Sequence, residues 1–114
     1  MSIREQMRKG TTVAIVLNLL AERDRPMYGY EIIQELEERS QGYFRFQEGL
    51  IYPHLHELER QGWLRSEWQG KEGSRRRKFY TITAAGRRRL EKELQSWQAF
   101  SHHINQILGV ETAR

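Results

Sequence analysis

The sequence predicts a mainly α-helical chain with one small β-hairpin: a winged helix-turn-helix followed by a long C-terminal dimerisation helix. Three observations carry this. Apolar residues recur at helical spacing in three segments before Gly62, the period changes to alternation between Leu64 and Ile82, and a last amphipathic stretch runs from Ala84 to about Leu108. The division expected is a helix-turn-helix domain over 1–83 and a dimerisation helix with its tail over 84–114.

The first helix is expected from about Ile3 to Leu20. Met7, Thr11, Ala14, Leu17 and Leu20 follow steps of four and three, and Val13, Val16 and Leu19 widen the stripe. Glu22 to Pro26 is polar, ends in a helix breaker and is expected to turn. A second helix, roughly Tyr28 to Arg39, places Ile32, Ile33 and Leu36 on one face, and Ser40-Gln41-Gly42 closes it. Tyr43 to Phe46 is an aromatic connector. The third helix carries Ile51, Leu55 and Leu58. Pro53 is tolerated only in a first turn, where amides lack intrahelical partners, so the helix should begin near Gly49 and stop at Gly62. Next, Leu64, Ser66 and Trp68 alternate with Arg65 and Glu67, Tyr80 and Ile82 alternate with Phe79, Thr81 and Thr83, and Gly70 to Ser74 supplies turn residues. Thr83 is a suitable N-cap for the last helix.

Composition narrows the chemistry. The 114 residues include no Cys and one Asp, which excludes disulfide scaffolds, thiolate metal sites, a cysteine nucleophile and paired-aspartate sites. His54 and His56 project from opposite sides of a helix, His102 and His103 are adjacent, and neither pair suits a metal. Gly70-Lys71 lacks the upstream glycine of a phosphate loop. No enzyme, metal or cofactor is therefore expected. Arg4, Arg8 and Lys9 precede the apolar stretch Val13 to Ala21 in the manner of a leader. Asn18 interrupts that stretch, no small-residue cleavage site follows, and nothing approaches a membrane span of about 20 apolar residues. A soluble, cytoplasmic protein is expected.

The net charge of +4 is unevenly spread. Residues 1–70 carry −2 and residues 90–114 carry −1, whereas 71–89 carry +7. That excess lies in Arg75-Arg76-Arg77-Lys78 and Arg87-Arg88-Arg89. A run of like charge is either a solvated surface or a polyanion-binding patch. Three helices followed by a basic hairpin favour the patch, because a winged helix-turn-helix lays its third helix in the DNA major groove and brings the wing to the backbone. Phosphates draw Lys and Arg regardless of sequence, while specificity needs side chains at base edges. With Ile51, Leu55 and Leu58 inward, Gly49, Pro53, His56 and Arg60 point outward and Tyr52 flanks them. His56 and Arg60 are therefore expected to contact DNA; the plain alternative is that both are ordinary solvated residues, paired with Glu59 or Glu57. Arg87, Arg88 and Arg89 are expected in water rather than on DNA.

Several motifs carry a family resemblance. Tyr28-Gly29-Tyr30-Glu31-Ile32 resembles the second-helix motif of PadR-type transcriptional regulators. Gly49-Leu50-Ile51-Tyr52-Pro53-His54-Leu55 through Leu58-Glu59, with Gly62-Trp63-Leu64, resembles their recognition-helix signature. Lys78-Phe79-Tyr80-Thr81-Ile82-Thr83 through Gly86 is similar to their wing strand and following helix start. The resemblance implies a homodimeric repressor of a partly palindromic double-stranded DNA operator, relieved by a small aromatic ligand. Carried over by position, it implies DNA contacts at Tyr28, Tyr30, Gly49, Tyr52, Pro53, Arg75, Arg76 and Arg77. An aromatic near a helix start is otherwise often core, which is the alternative for Tyr28 and Tyr30. Leu50 and Glu57 depart from the pattern, standing where a small hydroxyl residue and a basic residue are usual.

Leu90, Leu94, Trp97, Ser101, Ile104 and Leu108 form a heptad seam on the last helix, widened by Phe100 and Ile107. So broad an apolar face needs a partner, and a second copy supplies one. Leu90, Leu94, Trp97, Ile104 and Leu108 are the expected dimer interface. The resemblance adds a flat aromatic ligand held by Trp97 and Phe100; the plain alternative is that both fill the dimer core. The rival function is a winged-helix protein-interaction module whose basic wing binds an acidic partner.

Overall fold

The computed structural model describes residues 9–70 and 75–110. Its element order is α1 (Lys9–Arg23), β1 (Met27–Tyr28), α2 (Gly29–Arg39), α3 (Glu48–Arg60), β2 (Leu64–Gln69), β3 (Arg77–Ile82) and α4 (Ala84–Leu108). Among the described residues, four helices thus accompany a three-stranded antiparallel sheet of order β1-β3-β2, with Leu64 opposite Ile82, Trp68 opposite Lys78, and Met27 opposite Tyr80. Expectations for Ile3, Met7 and the hairpin tip at 71–74 lie outside the described residues.

Helix α1 is the centre of the core. Val13, Val16, Leu17, Leu19 and Leu20 are buried among Ile32, Ile51, Leu55, Leu58, Leu64 and Tyr80. It continues past its expected end at Leu20 to Arg23, because no breaker precedes Pro26 and cross-links hold its last turn. Arg23 pairs with Glu35 at 2.7 Å, and Arg39 pairs with Glu22. Asp24, at φ 50°, then turns the chain.

Two further expectations are corrected. Tyr28 is not a helical residue: with Met27 it forms a third strand on β3, adding an edge to the expected hairpin. Pro53 is not in the first turn of α3, which starts at Glu48, but in the second. Its ring is exposed on the outward side, and packing of the opposite face offsets the backbone hydrogen bond the imide cannot donate.

Both ends of the wing follow from local chemistry. Helix α3 closes in a Schellman motif: Gly62 takes φ 82° and the Trp63 amide donates to the Leu58 carbonyl at 3.0 Å. Thr83 caps α4, accepting from the Gly86 amide at 3.0 Å while its hydroxyl donates to the Gly62 carbonyl at 2.7 Å. A Cβ on Gly86 would stand 2.1 Å from the Trp63 carbonyl oxygen, so glycine is what lets α4 seat against this turn. Helix α4 spans the expected residues and ends at Gly109 in the left-handed conformation. Among the described residues no helix is long and apolar enough to cross a membrane.

Candidate nucleic-acid interface

The outward face of α3 and the basic strand β3 enclose an open groove of about 630 Å³ lined by Tyr28, Tyr30, Tyr52, His56, Trp68 and Arg75 to Lys78, with Glu48 at the start of α3. It gathers seven of the ten residues expected at DNA: Tyr28, Tyr30, Tyr52, His56, Arg75, Arg76 and Arg77. Gly49, Pro53 and Arg60 are exposed on the same helix but do not line the groove.

The Tyr-Gly-Tyr segment has a geometric reason. Helix α2 begins so close to α3 that a Cβ on Gly29 would lie 2.5 Å from Cε1 of Tyr52, so the missing side chain makes room for that ring. Burial pushes the Tyr52 phenol above its ordinary pKa, and Glu48 adds to this while Arg75 opposes it. Tyr28 meets Phe79 edge-on at 5.4 Å, and the Arg77 guanidinium lies over its ring at 4.7 Å. Tyr28 thus supports an arginine of the wing, whereas Tyr30 is half exposed to solvent.

A polar link fixes the wing to the helix. Glu59, in the last turn of α3, accepts from the Ser66 hydroxyl of β2 and pairs with Lys78 of β3 at 2.9 Å. These hydrogen bonds hold the Glu59 carboxyl below, and the Lys78 ammonium above, their ordinary values. The phenol of Tyr80, beneath Lys78, is raised by burial. Neither Glu59 nor Lys78 stood among the expected site residues. Three-residue spacing from His56 to Glu59 places both near one helix face, but pairing with the wing depends on strand register.

The basic runs have different fates. Among the described residues, no ion pair engages Arg75, Arg76 or Arg77, and all three are exposed in or beside the groove. In the second run, Arg87 pairs with Asp24 at 2.8 Å, while Arg89 pairs with Glu93 at 2.6 Å and covers the Trp63 ring at 4.8 Å. Two of those three cations therefore serve the fold. Arg60 makes a two-point pair with Glu57, at 3.0 and 2.7 Å, which holds its guanidinium protonated yet more firmly. Leu50, one of the two departures from the family pattern, is a core residue.

On α4, Leu90 is 8% exposed and belongs to the chain's own core, so it is spent within the protomer. Further along, Leu94, Trp97, Phe100, Ile104, Ile107 and Leu108 remain exposed, Trp97 to 46%. Trp97 and Phe100, with ring centroids 6.0 Å apart, form one wall of a second cleft of about 710 Å³ between α4, α1 and the Phe44–Phe46 connector.

This arrangement matches known proteins along most of its length. The profile of the Transcriptional regulator PadR-like family matches residues 16–92. The chain is 31% identical over 99 residues to Transcriptional regulator Rv3488 of Mycobacterium tuberculosis, covering 86% of this chain and 89% of that protein. A transcriptional regulator from Clostridium thermocellum superposes with a TM-score of 0.78 at 28% identity, over 86% of this chain and 93% of that one. A PadR family regulator from Eggerthella lenta gives 0.78 at 28% identity, over 96% and 91%.

Proposed function

The chain belongs to the PadR-like family of transcriptional regulators, DNA-binding proteins rather than enzymes, and on that footing we propose that it is a homodimeric repressor of a partly palindromic operator. The observation that carries this is the groove between α3 and β3, where three arginines that form no ion pair among the described residues stand opposite the outward face of a helix. Arg75, Arg76 and Arg77 take the phosphates and set the register. Tyr52, His56 and, once released from Glu57, Arg60 meet base edges, while Gly49 and Pro53 allow close approach of the helix. Tyr28 and Tyr30 contact the backbone at the groove's edge.

The dimer runs through the distal part of α4, from Leu94 through Trp97 and Ile104 to Leu108. A long apolar face left open by α1 supports it, since a second copy would bury that face. Two-fold symmetry in the protein asks for two half-sites about one DNA turn, roughly 34 Å, apart. A flat aromatic ligand held against Trp97 and Phe100 at the dimer interface would release DNA by favouring a dimer whose recognition helices are wrongly spaced.

The test is a duplex titration across salt concentrations. The reading expects the logarithm of the association constant to fall linearly with the logarithm of salt, at about −0.9 per phosphate neutralised. A flat dependence would favour a wing that engages an acidic protein.

A further inference from the structure

Strand β2 sends Leu64, Ser66 and Trp68 to one side, the side that faces α3. Leu64 is core, Ser66 reaches Glu59, and Trp68 lies beyond, 59% exposed in the groove wall opposite Lys78. Tryptophan is among the residues most buried on average, and Trp63, five residues earlier and just before β2, has its ring covered by Arg89 at 4.8 Å. No comparable ring or cation contact covers Trp68 among the described residues. Its neighbours along the groove are Arg75, Arg76, Arg77 and Lys78, so a polyanion drawn to these cations would lie beside the indole.

We infer that Trp68 is a duplex contact: its indole packs on the deoxyribose–phosphate chain beside the arginines, adding apolar area and one N–H donor where charge alone would otherwise hold the backbone. The inference rests on the DNA-binding reading. A deoxyribose offers C–H surface next to its phosphates, which suits a flat amphipathic ring flanked by cations. Because a sugar carries no base identity, the contact strengthens binding without selecting sequence.

The experiment measures full-length wild type, W68A, W68F and R75A against an enriched duplex and a scrambled one across salt. W68A should lose about tenfold in affinity for both duplexes, the scale of a moderate interface truncation, and W68F should lose less. The salt slope of W68A should equal that of wild type because no cation is removed, whereas R75A should shallow it by about one unit. Added duplex should also quench the part of the tryptophan emission that W68F lacks, a readout that holds even if W68A folds poorly. W68A binding as wild type does while R75A weakens, or a loss confined to one duplex, would overturn the assignment. Equal emission changes in wild type and W68F would overturn it as well. Wild-type protein that binds neither duplex would instead remove the DNA reading, and this inference with it.

Discussion

Gly29→Ala tests the joint between the two central helices. The added Cβ would sit 2.5 Å from Cε1 and 2.7 Å from both Cζ and the hydroxyl of Tyr52. These are ring atoms of a half-buried side chain, so the ring must move as a body or the helices must part. Overpacking of this kind costs about 1–3 kcal/mol. Alanine would recover up to about 1 kcal/mol of helix propensity in an interior position, but little at residue 29, the first of α2. The expected net loss is about 1–2 kcal/mol. Urea unfolding followed by circular dichroism, at one fixed protein concentration, measures it. In a Tyr52→Ala background the obstacle is gone, so the same substitution should be neutral. The coupling energy of the double-mutant cycle should then reach about 1–2 kcal/mol, within the range found for residues in contact. An equal cost with and without Tyr52 would refute the close approach. G29A should also weaken duplex binding, because displacing Tyr52 alters the groove.

Other expectations follow from the same geometry. Glu59→Gln removes the ionised partner of Lys78 and should cost about 0.5–1.5 kcal/mol, the lower part being favoured because both groups are partly exposed. Since folding lowers the Glu59 pKa, that stability is present above its ordinary value of 4.5 and is lost as pH falls through the lower folded value. The gap between wild type and E59Q should therefore close in acid; a gap independent of pH would deny the charge its role. Arg77→Ala should weaken all duplexes alike, whereas His56→Ala and Arg60→Ala should alter sequence preference; uniform loss from the latter two, in competition assays, would remove them as base readers. Leu94→Lys should abolish the proposed dimer, and a stable dimer of that variant by light scattering would refute the seam on α4.

Much of this fold is legible because single residues with one-sided chemistry mark its joints. Gly62 stops α3 and Thr83 caps α4, each through a hydrogen-bond pattern that a sequence can announce. The outward face of α3 is likewise legible from helical phase, since burial of Ile51, Leu55 and Leu58 leaves Pro53 and His56 outside. What escapes such reasoning depends on non-local pairing. Strand β1 has two residues, too few to show alternation, and exists only because β3 offers it an edge. Leu90 fits the heptad seam by spacing, yet it joins the protomer's core because α1 crosses the beginning of α4. Periodicity tells which residues share a face, not what covers each part of it. The wing's tie to the helix through Glu59 and the exposure of Trp68 are register facts, set only when β2 and β3 pair. The same holds for the contrast between the two arginine runs, which depends on Asp24 and Glu93 lying beside the second one.

The proposed function requires this groove to read duplex DNA in two symmetric halves. Selecting from a pool of random duplexes with the purified full chain at moderate salt tests it most directly. A two-fold symmetric site with half-sites about one helical turn apart, near 10 base pairs, should be enriched. A pool that enriches no sequence, with binding that vanishes at modest salt, would contradict it and leave the wing as a generic basic surface.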